Sequence, residues 1–312
     1  MVLGKAGGRR LYYNTPTIDN AVQNLYLKVY NRLQDAIPRY IIRRDRSRSK
    51  FTPQPKSEVR MPTLSNSLRE LIDGHAHLNE VDDIEGALER AAAAGVARIV
   101  AVGMDIASNR RVLELAAAYP GLVLPSVGFH PWSISTEPIE ATLTFLKTHL
   151  ATCTALGEVG LDYKAKVKKA VQWEVFARVL DLAAEFKKPV IVHARFSHQR
   201  CHRMVSAAKI KKAVFHWYSG PLDLLEKIIA DGYFVSCTPA LAYSTHHRSA
   251  IQHAPLERIL IETDCPVEYQ GKVSEPAHLI DTLTHLSRLK DLPIEEVARI
   301  TTANAGAFFG LR

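Results

Sequence analysis

Two histidines one residue apart, His75 and His77, end a short apolar run in Asp73-Gly74-His75-Ala76-His77. Residues i and i+2 of an extended strand point to the same side, so both imidazoles project into one space at the strand's end. Imidazole is a common ligand of divalent metals, and that placement suits an ion. The pair gains weight from repetition. Other apolar runs end the same way in Glu158, His193, His216 and Asp264, a pattern that packing alone does not require. Four imidazoles and two carboxylates suit Zn²⁺, Mn²⁺, Fe²⁺ or Co²⁺ better than Mg²⁺, which prefers an all-oxygen shell. Six ligands exceed the needs of one tetrahedral ion, so the set is expected to hold two divalent metal ions bridged by Glu158. Such pairs lie about 3.5–4 Å apart and stabilise the attacking and leaving oxygens of an in-line displacement.

These residues need a scaffold that brings distant strand ends together. From about residue 70 the chain alternates β-branched runs with helical stretches. Strands are expected over 70–73, 98–103, 123–128, 154–158, 190–193, 213–216, 233–237 and 259–263. Amphipathic or alanine-rich segments lie between them, the least regular being 246–253. Eight strand-plus-helix units in this length fit a (β/α)₈ TIM barrel, whose active site lies at the C-terminal ends of its strands. Each suspected ligand falls at such an end. A doubly wound open sheet is the alternative, but no glycine-rich dinucleotide loop follows the first strand and no P-loop is present.

The 312 residues allow a sizeable core, and 47% hydrophobic with 23% charged residues is ordinary globular composition. The N-terminus lacks the apolar core of a secretory signal, and no apolar window is long enough to span a membrane, so a cytoplasmic protein is expected. Cys153, Cys201, Cys237 and Cys265 show no C-x-x-C spacing, which argues against a disulfide framework and a cysteine zinc site. The net charge of +8 is uneven. Residues 1–60 hold 13 Lys or Arg against 4 Asp or Glu, while the remainder hold 27 against 28. The basicity therefore belongs to an extension, residues 1–65, ahead of a barrel domain expected over 66–312. Apolar spacing at Ile18, Val22, Leu25, Val29 and Leu33 predicts a helix over 18–36. The basic run 43–50 and the prolines after it read as a tether that cannot bury a core. Met61 is an alternative start, since nothing before it is needed for the chemistry.

Seven ordered motifs carry a resemblance: Asp73-Gly74-His75-Ala76-His77-Leu78, Gly128-Phe129-His130-Pro131, Gly157-Glu158-Val159-Gly160-Leu161-Asp162, Val192-His193-Ala194-Arg195, His216-Trp217-Tyr218-Ser219-Gly220, Glu262-Thr263-Asp264-Cys265-Pro266 and Thr301-Thr302-Ala303-Asn304. Over about 71–310 the chain resembles the TatD family of metal-dependent deoxyribonucleases, within the amidohydrolase superfamily. The resemblance implies that His75, His77, Glu158 and Asp264 hold one metal and that Glu158, His193 and His216 hold the second. It implies Asp264 as the base that deprotonates the attacking water, and His130 and Arg195 as contacts to the phosphate of a nucleic-acid substrate. The sequence departs from the family pattern at Phe196-Ser197, where an acidic residue and alanine are usual, and over 267–276, where Arg-Gly and Asn-x-Pro are usual. Both departures leave the ligand positions intact and fall on the substrate rim.

Other residues bear on the substrate. Lys164, Lys166, Lys168 and Lys169 form a polyanion strip or a solvated loop face, and Trp132, Tyr163, Trp217 and Tyr218 either stack bases or pack loops. Glu262 is expected to face away from the mouth or to brace a ligand. His246-His247 reads as an exposed polar pair, and His198, His202, His253, His278 and His285 as surface. Two rival functions remain: a small-molecule amidohydrolase or esterase using the same metals, and a membrane- or partner-tethered binding protein whose basic arm does the work.

Overall fold

The structure is a computed structural model that describes residues 66–311; the helix expected over 18–36 and the basic tether lie outside the described residues. Eight strands form one sheet: β1 (Leu71–Ala76), β2 (Val96–Val102), β3 (Val123–Phe129), β4 (Ala155–Asp162), β5 (Val190–Arg195), β6 (Ala213–Phe215), β7 (Phe234–Cys237) and β8 (Ile259–Ile261). They pair in sequence order, every pair parallel. Just past β8 the chain returns to β1. Asp264 N–H donates to the His75 carbonyl at 2.9 Å, and His77 N–H donates to the Cys265 carbonyl at 2.7 Å. The Asp73 carboxylate adds two links there, accepting from Thr263 N–H at 3.0 Å and from Thr263 Oγ1 at 2.5 Å. A sheet whose first and last strands meet is the expected (β/α)₈ barrel and not a doubly wound sheet, whose strand order reverses.

A helix follows each strand: α1 (Ile84–Ala93), α2 (Ile106–Ala118), α3 (Ile139–His149), α4 (Lys169–Phe186), α5 (His198–Ala207), α6 (Leu222–Ala230), α7 (Thr245–His253) and α8 (Leu279–Lys290), with α9 (Ile294–Phe309) last. Local chemistry sets several ends. Asp105 caps α2 through a reciprocal pair with Ser108, at 2.7 Å and 2.9 Å, and Gly310 ends α9 in the left-handed conformation that glycine adopts without strain. The irregular stretch near 246–253 is indeed a helix, capped by Ser244.

The strands are buried on both faces, which is why they read as continuous apolar runs rather than alternating ones. One apolar layer lies between strands and helices. A second fills the barrel, with Ile72, Val100, Ile191, Val214 and Leu260 stacked on Phe308 and Phe309 of α9. α9 seals the N-terminal end of the barrel. Asn304 Nδ2 donates to the carbonyls of Leu256 and Ile259 ahead of and at the start of β8, and Thr302 Oγ1 donates to Glu70 just before β1. The Thr301-Thr302-Ala303-Asn304 motif is thus part of the floor, at the end opposite the histidines.

Several strands run on past their expected ends. β1 reaches Ala76, β4 reaches Asp162 and β5 reaches Arg195, so Glu158 and His193 lie inside their strands. Polar side chains do not stop a ladder made of backbone bonds, and Gly160, Leu161 and Asp162 stay in register with His193, Ala194 and Arg195. β6 and β8 stop earlier, and His216 and Asp264 project from the connections that follow.

Candidate metal centre

The six expected ligands meet at the C-terminal mouth of the barrel. His75 and His77, alternate residues from the end of β1, bring their Nε2 atoms to 3.2 Å of each other. His75 Nε2 is 3.5 Å from Glu158 Oε2 and 3.4 Å from Asp264 Oδ1. His77 Nε2 is 3.4 Å from Glu158 Oε2 and 3.5 Å from Asp264 Oδ1. Four donor atoms spaced in this way fit the shell of one cation, because a tetrahedron with bonds of about 2.1 Å has edges of about 3.4 Å. The other Glu158 oxygen faces a different group. Oε1 is 2.7 Å from His193 Nδ1 and 2.8 Å from His216 Nε2, and those two nitrogens are 3.4 Å apart.

Backbone geometry makes this convergence possible. Gly128 lets β3 lie against β4, since a Cβ there would come within 2.4 Å of the Glu158 backbone. The Asn109 side chain on α2 clamps the same glycine, accepting from its N–H at 2.8 Å and donating to its carbonyl at 2.7 Å. Asp264 has a left-handed backbone, with φ of 50°, which is strained for a residue other than glycine.

The electrostatics favour positive charge at the centre. Burial alone would lower the pKa of His77, but Asp264 and Glu158 outweigh it and hold the group up at about 10. Burial would raise Glu158, yet His216, His130 and His193 keep its carboxyl well below the usual carboxylate range. Asp264 is likewise lowered, its burial outweighed by His77 and His75. His216 is pushed well above the usual histidine value because Glu158 and Glu262 outweigh its burial. A divalent cation competes with protons for these same lone pairs.

His130 behaves differently. It is fully buried, its Nδ1 accepts from Trp132 N–H at 3.2 Å, and its Nε2 lies 3.6 Å from Glu158 Oε1. Burial lowers its pKa to about 4, so the ring is neutral and carries its proton on Nε2. It is a hydrogen-bond donor facing the cluster. Arg195, the last residue of β5, is exposed and lines the same cavity of about 460 Å³. Its guanidinium forms no ion pair among the described residues.

Three carboxylates near the ligands carry more than their motif positions suggested. Asp162 Oδ2 accepts from Trp132 Nε1 at 2.7 Å and lies 3.4 Å from His193 Nε2, close but not aligned as a hydrogen bond. It orients His193, and a signal for it existed, since Glu158, Gly160 and Asp162 alternate along one strand face. Glu262 Oε1 lies 3.3 Å from His216 Nδ1 and accepts from Trp217 N–H at 3.1 Å, so it braces a candidate ligand. Carboxylates behind imidazoles fix ring orientation in metal sites. Asp73 ties β1 to the chain after β8, and burial raises its pKa to about 7 against hydrogen bonds from Thr263.

Some expectations do not hold. His247 is not exposed but fully buried, its Nδ1 donating to the Tyr218 carbonyl at 2.7 Å and its Nε2 accepting from Thr238 N–H at 3.2 Å. α7 packs one side inward, and the ring fills that side with both nitrogens satisfied. His198 and His202 are half-buried rather than surface groups, His202 being 2.9 Å from Asp231. Tyr218 stacks no base, since it is buried and its hydroxyl donates to the Pro221 carbonyl. Trp132 stays exposed at the mouth.

A (β/α)₈ barrel with imidazoles and carboxylates gathered at its C-terminal mouth defines a metal-dependent hydrolase. The chain matches the TatD related DNase family over residues 72–310 and belongs to it. It is 31% identical over 253 residues to the metal-dependent hydrolase YabD of Bacillus subtilis, covering 77% of this chain and 98% of that one. It is 28% identical over 259 residues to the deoxyribonuclease TATDN3 of Homo sapiens, covering 77% and 94%. The crystal structure of YJJV, a TatD homolog from Escherichia coli K12, superposes with a TM-score of 0.74 at 28% identity, covering 79% of this chain and all of that one. Among the described residues, no helix is long and apolar enough to cross a membrane.

Proposed function

We propose that residues 66–312 form a phosphodiesterase unit that cleaves DNA at ends or in single strands, using two divalent cations. The observation that carries this reading is the split carboxylate of Glu158, whose Oε2 faces His75 and His77 while Oε1 faces His193 and His216. A carboxylate placed in this way suits a bridge between two ions. His75, His77, Glu158 and Asp264 would hold the first, and Glu158, His193 and His216 the second. When bound, such ions lower the pKa of water and neutralise charge on a phosphate.

The chain's own groups do the rest. Asp264 is held by its backbone bond to His75 and has its carboxylate at the first cluster, where it accepts a proton from the attacking water. The neutral His130 donates from Nε2 to a phosphate oxygen. Arg195, exposed at the same cavity and in no ion pair among the described residues, offers its guanidinium to the other oxygens in the bidentate geometry that phosphate favours. Asp162 and Glu262 keep His193 and His216 from turning away.

The test is hydrolysis of a labelled single-stranded DNA after EDTA stripping and return of Mg²⁺, Mn²⁺ or Zn²⁺. Cleavage restored by metal in the wild type, and reduced at least about a thousandfold in Glu158→Ala, is the expected result. Two equivalents of bound metal with intact DNA and hydrolysis of a small ester would remove DNA as the substrate and favour the amidohydrolase or esterase alternative.

A further inference from the structure

A groove of about 650 Å³ opens beside the metal mouth. Arg195 lines the mouth and the next residue, Phe196, lines the groove, so the two cavities adjoin at that step of the chain. Arg200, Arg203 and Lys227 face the groove, and Asp223 is the one carboxylate among its lining residues. Tyr163 and Trp173 form part of its wall.

Phe196 is costly where it stands. Its side chain is 66% exposed, and its backbone is left-handed with φ of 56°. A phenylalanine there both strains the chain and leaves apolar surface in water. Its ring meets the Lys164 ammonium, 5.2 Å from the ring centroid. Arg200 is held by stacking and not by a counter-charge. Its guanidinium lies 3.9 Å over the Trp173 ring, its Nε is buried without a hydrogen-bond partner, and it forms no ion pair among the described residues. Trp173 is itself fixed by donating to the Tyr163 hydroxyl at 3.0 Å. An exposed aromatic face followed by the guanidinium of Arg200 held on Trp173, with Arg203 lining the same groove, matches the repeating unit of a nucleic-acid strand, a base followed by a phosphate.

We propose that this groove binds the nucleotide flanking the scissile phosphate, with its base on Phe196 and its phosphate on Arg200 and Arg203, and that it thereby selects single strands. The selection follows because a base in a duplex already has both faces stacked, so only an unpaired base reaches Phe196. The proposal rests on the phosphodiesterase reading above.

The test compares steady-state hydrolysis by the full-length, metal-loaded protein on two substrates. One is a labelled single-stranded oligonucleotide. The other is bis(4-nitrophenyl) phosphate, an ester with no flanking nucleotide and no second phosphate for Arg200 and Arg203. Phe196→Ala is expected to raise KM for the oligonucleotide about tenfold with kcat little changed, and to leave the nitrophenyl ester unaffected, while Phe196→Trp restores KM. Replacing Arg200 and Arg203 together by Gln is expected to flatten the dependence of log KM on log salt by about 0.7, the value for one phosphate contact on a single strand. An unchanged oligonucleotide KM in both variants overturns the groove assignment, and so does an equal loss on both substrates. A wild type that cleaves the nitrophenyl ester but no oligonucleotide defeats the DNA reading itself, a result distinct from loss of the groove alone.

Discussion

The two ends of the barrel are built from the same eight strands and differ in almost every other respect. At the floor, Ile72, Val100, Ile191, Val214 and Leu260 pack on Phe308 and Phe309, and the backbone carbonyls of Glu70, Leu256 and Ile259 are met by Thr302 and Asn304. At the mouth, four imidazoles and two carboxylates gather in two groups around Glu158, each imidazole within 3.5 Å of a carboxylate oxygen. Three residues there, Phe196, Trp217 and Asp264, adopt left-handed backbones without being glycine. The floor lowers the free energy of the fold, whereas the mouth raises it by burying charge and straining the chain. One end of each strand therefore carries stability and the other carries reactivity, a division that lets the mouth change without loss of the barrel.

The largest test of that division is Phe308→Ala. Phe308 is buried and meets Phe234 and Phe309 edge-on, with ring centroids at 5.4 and 4.8 Å. Removing the ring should lower the unfolding free energy in urea by about 3–5 kcal/mol. Below the unfolding transition, kcat/KM should stay within about twofold of wild type. A strongly reduced turnover in still-folded protein would show that floor and mouth are coupled.

A somewhat smaller effect concerns pH, to which the ionisable end should respond. Burial drives the pKa of His247 down from 6.5 to about 4. The unfolded chain therefore binds a proton in a window where the folded one does not, so stability from this group is complete above 6.5 and is lost as pH falls toward 4. The loss should be on the order of 3 kcal/mol. Urea midpoints across that window should fall less steeply for His247→Gln, which cannot charge, and identical slopes would show that the buried ring does not govern the response.

Smallest are the braces. Asp162→Asn and Glu262→Gln leave every proposed ligand in place but loosen His193 and His216. Metal affinity, followed by competition with a chromogenic chelator, should weaken by about 10- to 100-fold with unfolding unchanged. Loss of folding instead of metal would place these carboxylates on the stability side of the division.

Much of the mouth was legible because its logic is periodic. His75 and His77 share a face by the two-residue repeat of a strand, and each further candidate ligand follows an apolar run. Asp162 is equally within reach of that repeat, but a buried acid reads as the end of an apolar run, so the sequence pattern stops its strand at Glu158. His247 failed for a related reason. A histidine in a polar helix gives no sign of facing inward until the partners of both its nitrogens, the Tyr218 carbonyl and Thr238 N–H, are in place.

By itself the sequence determined the alternation of strands and helices, hence the barrel, and the residue types that gather at its mouth. Those features depend on local periodicity and chain order, which are written one residue after another. Only the tertiary structure decided that Glu158 divides its oxygens between two groups of histidines, that His130 presents a proton rather than a lone pair, and that Phe196 and Arg200 share a groove. Each of these is a relation between atoms on different strands or loops, set by barrel closure and side-chain packing at distances that no sequence spacing encodes.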